Sequence, residues 1–121
     1  MERMTPIEIV EYVEAGSAYY TESGCLEWVG SCTADGYGQF HSRGKTYYVH
    51  REMMRAFGHD IDGLTVDHLC ERKACSNPRH LDVVTREENA RHMRDKDWQA
   101  HLARIRPSLG PYERPAWSVS P

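Results

Sequence analysis

No run of about 18 apolar residues occurs in this 121-residue chain, which excludes a membrane-spanning helix. The start, Met1-Glu2-Arg3-Met4-Thr5-Pro6, lacks the basic-then-apolar pattern of a secretory signal, so a cytoplasmic setting is expected. There is no internal repeat, which removes solenoids and other arrays. Apolar residues are in short supply, at 40%, and mean hydropathy is −0.70. One small domain with tails builds only a modest core from this, and a staple of some kind is expected. Positive charge is nearly missing from the front: residues 1–40 hold one basic residue against seven acidic ones, a charge of −6. Residues 41–106 reverse the balance, with 13 Lys/Arg against 10 Asp/Glu, and hold all seven His. Their charge of +3 is a weak footprint for a nucleic-acid partner, but the formal net charge of −3 hides it altogether.

What is present falls into three parts. Residues 1–23 read as a short helix and a linker, with Thr5 as cap, Pro6 at the first helical position and Glu8 completing a capping box before Gly16 ends the turn. Residues 24–106 read as the main domain. Strands are expected at 26–29, 36–40 and 45–49, the last two joined by the Ser42-Arg43-Gly44-Lys45 turn. Val49, Met53 and Phe57 repeat at helical spacing up to Gly58. Strands at 64–68 and 80–84 flank a polar loop, and Thr85 with Glu88 caps a helix running towards Ile105, whose apolar stripe breaks step near Asp95. Residues 107–121, with Pro107, Pro111, Pro115 and Pro121, read as a disordered tail.

Four Cys in a chain without a secretory signal point to metal binding or free thiols rather than disulfides. Four residues separate Cys70 from Cys75, and four more separate Cys75 from His80, a spacing that suits zinc. Cys25 and Cys32 are both open as the fourth ligand; buried free thiols are the competing reading. A metal there would tie the acidic front to the middle segment and offset the small core.

Asp67 and His68 end one strand side by side, with side chains on opposite faces. Asn89 falls within the first two turns of the following helix. An Asp carboxylate with an Asn carbonyl is an all-oxygen pair suited to Mg²⁺ or Mn²⁺, which leaves His68 to deprotonate a water. His50 and Arg51 read as helix-start residues, and His92 as a solvated position one turn after Asn89. Arg43, Lys45, Arg72, Lys73, Arg86, Arg91, Arg94 and Lys96 are candidates for phosphate contact.

Val66-Asp67-His68-Leu69-Cys70, Cys75-Ser76-Asn77-Pro78-Arg79-His80-Leu81, Val84-Thr85 and Glu88-Asn89 together resemble the HNH nuclease family, with its ββα-metal fold. Gly24-Cys25-Leu26-Glu27-Trp28, Gly36-Tyr37-Gly38-Gln39-Phe40 and His50-Arg51 are similar to small zinc-stapled, phage-type HNH homing endonucleases, so the likeness spans about residues 24–92. The resemblance implies an α+β fold: a ββα-metal core preceded by a β-hairpin and helix, with a zinc-stapled loop. It implies a metal-dependent endonuclease acting on double-stranded DNA in the cytoplasm, the host's for a phage-encoded member. His68 would be the general base, Asp67 and Asn89 the holders of a catalytic Mg²⁺ or Mn²⁺, and Asn77 the residue that orders loop and base. Cys25, Cys70, Cys75 and His80 would hold structural zinc, although Cys32 lies outside the family pattern and stays open as an alternative ligand. A single site in so small a chain is compatible with nicking or with a homodimer. The alternative function is a zinc-stapled DNA-binding module without catalysis, which would require neither Asp67-His68 nor Asn89.

Overall fold

Thr5 opens the first helix through a reciprocal cap: its Oγ1 accepts from Glu8 N at 3.2 Å, while the Glu8 carboxylate accepts from Thr5 N at 2.8 Å. This helix, α1, spans Pro6–Ala15 in the computed structural model, which describes residues 4–118. Strand β1 (Ser17–Tyr19) follows and pairs antiparallel with β2 (Leu26–Trp28). β3 (Gln39–Ser42) and β4 (Lys45–Tyr48) form a hairpin whose turn residues, Arg43 and Gly44, both have positive φ (52° and 81°), matching the right-handed twist of the strands. Helix α2 (Val49–Ala56) follows without a break. β5 (Thr65–His68) and β6 (Leu81–Val84) form the third antiparallel pair, and α3 (Arg86–Arg94) and α4 (Lys96–Ile105) follow. No helix among the described residues is long and apolar enough to cross a membrane.

Two apolar clusters share α2. Val49 and Met53 on one side meet Val10 and Val13 of α1, Leu26 and Trp28 of β2, and Phe40 of β3. Met54 on the other side meets Ile61, Val66 and Leu81 and so carries the β5–β6 pair. Trp28 sits among glycines because nothing larger fits: a Cβ on Gly16 would stand 2.5 Å from the Trp28 ring, and one on Gly38 would stand 3.0 Å from it. The second unit, β5–β6–α3, is the expected ββα arrangement.

Three expectations are corrected. The strand expected at 36–40 is β3, shifted to Gln39–Ser42, and β1 is an addition. The single helix expected to reach Ile105 is two helices, since Asp95 leaves helical geometry and its Oδ1 accepts from Asp97 N and Trp98 N at 2.9 and 3.2 Å, capping α4. The tail expected to be disordered is docked as far as Ser118. Tyr112 donates to Glu14, Arg114 pairs with Glu14 at 2.8 Å, Arg79 pairs with Glu113 at 3.1 Å, and Trp117 meets Phe57 edge-on at 5.5 Å. Residues 119–121 lie outside the described residues.

Overpacking of this kind costs about 1–3 kcal/mol. Gly16→Ala should therefore lower stability by about that amount in denaturant unfolding, with the slope unchanged; a variant as stable as wild type would contradict the packing around Trp28.

Candidate active site and metal cluster

Main-chain pairing, rather than chain proximity, brings Cys25 to the loop cysteines. β2 runs against residues 74–76: Trp28 N donates to Ala74 O and Ser76 N to Leu26 O, each at 2.9 Å. Asn77 fastens the same junction. Its side chain is buried, Nδ2 donates to Gly24 O at 2.7 Å, and Oδ1 accepts from Arg79 N at 3.0 Å. The result is a buried group in which the ligating atoms of Cys25, Cys70, Cys75 and His80 all lie within 4.8 Å of one another. Cys32 is exposed, paired through its backbone with Gly38, and takes no part.

The donor set fits a tetrahedral thiophilic ion. His80 Nδ1 lies 3.5 Å from Cys25 Sγ and 3.7 Å from Cys75 Sγ, close to the edge of roughly 3.6 Å expected between sulfur and nitrogen around zinc. His80 Nε2 donates to Gly110 O at 2.7 Å, which fixes the ring with Nδ1 turned towards the sulfurs. Hydrogen bonds from Cys70 and Cys75 hold the Cys25 thiol well below its ordinary range. Burial lowers His80, but its hydrogen bonds to Cys25, Cys70 and Gly110 outweigh this and raise it to about 10. Without metal the cluster thus gathers a thiolate and an imidazolium, and a bound dication would displace the protons.

The cluster reaches His68 through one residue. His68 is buried and its Nε2 donates to Cys75 O at 3.0 Å; a carbonyl only accepts, so Nε2 carries the proton and Nδ1 is the basic nitrogen. Burial, partly offset by that hydrogen bond, pushes the His68 pKa down to about 4, so the ring is neutral at neutral pH. A cavity of 290 Å³ opens beside it, lined also by Asp67, Asn89, Lys73 and His92. Burial raises the Asp67 carboxyl above its usual range, and its backbone bond to residue 68 counteracts this only in part. A desolvated carboxylate facing an amide side chain in one cavity is a fitting oxygen pair for a hard divalent cation.

Other expected residues fall differently. Asn77 bonds to the backbone of Gly24, Arg79 and Gly110 rather than to His68, so it holds the loop carrying Cys75. His92, read as a solvated position, lines the same cavity as His68 and Asp67 and stacks on Trp98 at 4.0 Å. Lys73 lies 5.4 Å over the Tyr37 ring, and Arg86 borders a neighbouring cavity. Arg72 is paired with Glu27 at 3.0 Å. Arg91, Arg94 and Lys96 are exposed on α3 and the start of α4. Arg43 and Lys45 occupy the β3–β4 turn, where Arg43 acts on Glu8 rather than on either cavity. Sequence reasoning missed Tyr37 and undervalued His50, whose rings lie 5.8 and 4.8 Å from that of His68. The contacts are long-range, and only the clustering of aromatic and His residues ahead of Asp67 hints at them.

Outer partners of a metal ligand are typically worth ten- to hundredfold in affinity. Ending the chain after Ser108, which removes Gly110, should weaken zinc binding by about that factor in chelator competition. Cys70→Ser should lose bound zinc and Cys32→Ser should keep it; full zinc retention by Cys70→Ser would contradict the assignment.

Residues 47–91 match the HNH endonuclease family. Protein 2.8 of Escherichia phage T7 is 42% identical over 78 residues, which are 63% of this chain and 53% of that protein. Protein 7.7 of the same phage is 34% identical over 77 residues, 63% of this chain and 59% of that protein. The chain thus spans little more than half the length of these curated relatives. Among solved structures, that of the HNH homing endonuclease I-HmuI in DNA binding and cleavage aligns with a TM-score of 0.42 at 21% identity, over 87% of this chain and 67% of that one. The matched segment is the one that carries Asp67, His68 and Asn89.

Proposed function

We propose that the chain hydrolyses phosphodiester bonds of double-stranded DNA, with His68 as general base and Asp67 and Asn89 as holders of a divalent cation. The observation that carries this reading is the state of His68. Its Nε2 is spent on the Cys75 carbonyl, its ring is neutral, and it lines one cavity with Asp67 and Asn89. His68 Nδ1 takes a proton from a water, and that water attacks phosphorus opposite the departing 3′ oxygen. A Mg²⁺ or Mn²⁺ ion on the two oxygen donors would supply Lewis acidity to the phosphate and leaving oxygen. Lys73, inside the same cavity, faces the phosphate as a point charge, and Arg91, Arg94 and Arg86 extend the positive surface along α3. Zinc on Cys25, Cys70, Cys75 and His80 would hold the loop and take no part in the reaction. The match to the HNH endonuclease family supports action on DNA, and the phage relatives support the host cytoplasm as its place, where one site per chain would nick, or cut both strands as a homodimer.

Removing a general base typically costs 10²–10⁴-fold. Supercoiled plasmid incubated with Mg²⁺ or Mn²⁺ should be nicked or linearised by wild type, and His68→Ala should act at least about a hundredfold more slowly. If wild type and variant leave the plasmid equally intact while both bind it, the chain is a DNA-binding module without catalysis and the nuclease reading fails.

A further inference from the structure

Beside the reactive cavity lies a second one, of 710 Å³, and Tyr37, Thr65 and Val66 border both. Its floor is β5, whose outer edge faces no strand among the described residues. Its wall is His50, 7% exposed, with Nδ1 buried and bonded to nothing. Tyr37 stacks on the His50 ring at 5.4 Å and 24°, and Tyr48 stands edge-on to it at 6.0 Å and 64°. Tyr48 is 43% exposed and Arg86 is exposed where it borders the same cavity. Arg51, also on the lining, is held in place by donating to Leu64 O and Ile61 O at 2.8 and 3.0 Å.

A purely apolar ligand would leave the exposed Arg86 guanidinium at the cavity's border without a partner. A bare phosphate would use Arg86 but would gain nothing from the exposed Tyr48 ring. A nucleoside with its phosphate uses both: its π-face lies on Tyr48, which Tyr37 and His50 back, and the phosphate meets the Arg86 guanidinium. The volume falls within the usual range for small-ligand pockets. The geometry points to a nucleoside subsite here, which receives an unstacked base of the DNA strand next to the bond that is cut. This rests on the DNA reading above, and deepens it by assigning Tyr48, Tyr37 and His50 to substrate positioning.

The test uses a mixed-sequence duplex carrying 5-iododeoxyuridine in place of thymidine, bound to the full chain without divalent metal and irradiated. Mass spectrometry should locate the cross-link on Tyr48 or Tyr37. Tyr48 caps α2 through its backbone alone, so Tyr48→Ala leaves the helix start intact. That variant should lose the cross-link and bind the duplex about tenfold more weakly, while Tyr48→Phe, which keeps the ring, should retain both. Cross-links found only elsewhere, or wild-type affinity in Tyr48→Ala, would overturn the subsite and leave the plasmid assay to judge the nuclease reading. Failure of wild type to bind the duplex at all would overturn both.

Discussion

Everything in this small fold hangs from the meeting of residue 25 with residues 70–80. The apolar core is split across the two faces of α2, and neither half is large. Besides α2, what unites the acidic front with the β5–β6–α3 unit is the short backbone pairing of β2 with residues 74–76 and the buried cluster of Cys25, Cys70, Cys75 and His80 that it creates. The C-terminal segment adds a third strand of support, since Gly110 O receives both His80 Nε2 and, at 3.4 Å, Asn77 Nδ2. Gly24, at φ 76°, sits under that carbonyl, where a Cβ would come within 2.5 Å of the oxygen. Only glycine serves there, both for the close approach and for the backbone angle.

The same junction sets the chemistry. Cys75 is shared: its sulfur belongs to the cluster and its carbonyl oxygen fixes the tautomer of His68. The carbonyl orients the ring and raises its basicity, but only enough to offset part of the effect of burial. Burial against His50 and Tyr37 keeps it uncharged, while Asp67, next in the chain and lining the same cavity, is raised by its own burial. Burial thus shifts the two neighbours in opposite directions, lowering the His68 pKa and raising that of Asp67.

Much of this was legible in residue spacing. Both capping boxes, Thr5 with Glu8 and Thr85 with Glu88, follow from the local pattern, because a cap is satisfied within four residues. The Cys70, Cys75 and His80 spacing and the Asp67-His68 pair are local too, and the family resemblance supplied their roles. What could not be read depends on contacts between distant segments. The choice of Cys25 over Cys32 follows from the register of β2 against Ala74 and Ser76, which no spacing encodes. The docking of residues 107–118 relies on a backbone carbonyl and on side chains such as Tyr112, which a Pro-rich composition conceals. β1 is three residues long and too short for an alternating pattern. The break before α4 left a trace in the disrupted apolar stripe, but Asp95 as a cap requires the backbone to have turned already.

The central claim is that one four-ligand cluster, built from Cys25, Cys70, Cys75 and His80, organises the molecule. X-ray absorption at the zinc edge on purified, zinc-loaded protein tests it most directly. The account predicts three sulfur neighbours at about 2.3 Å and one nitrogen at about 2.0 Å. A shell of four sulfurs, which would bring in Cys32, or a shell of oxygen and nitrogen alone, would contradict it.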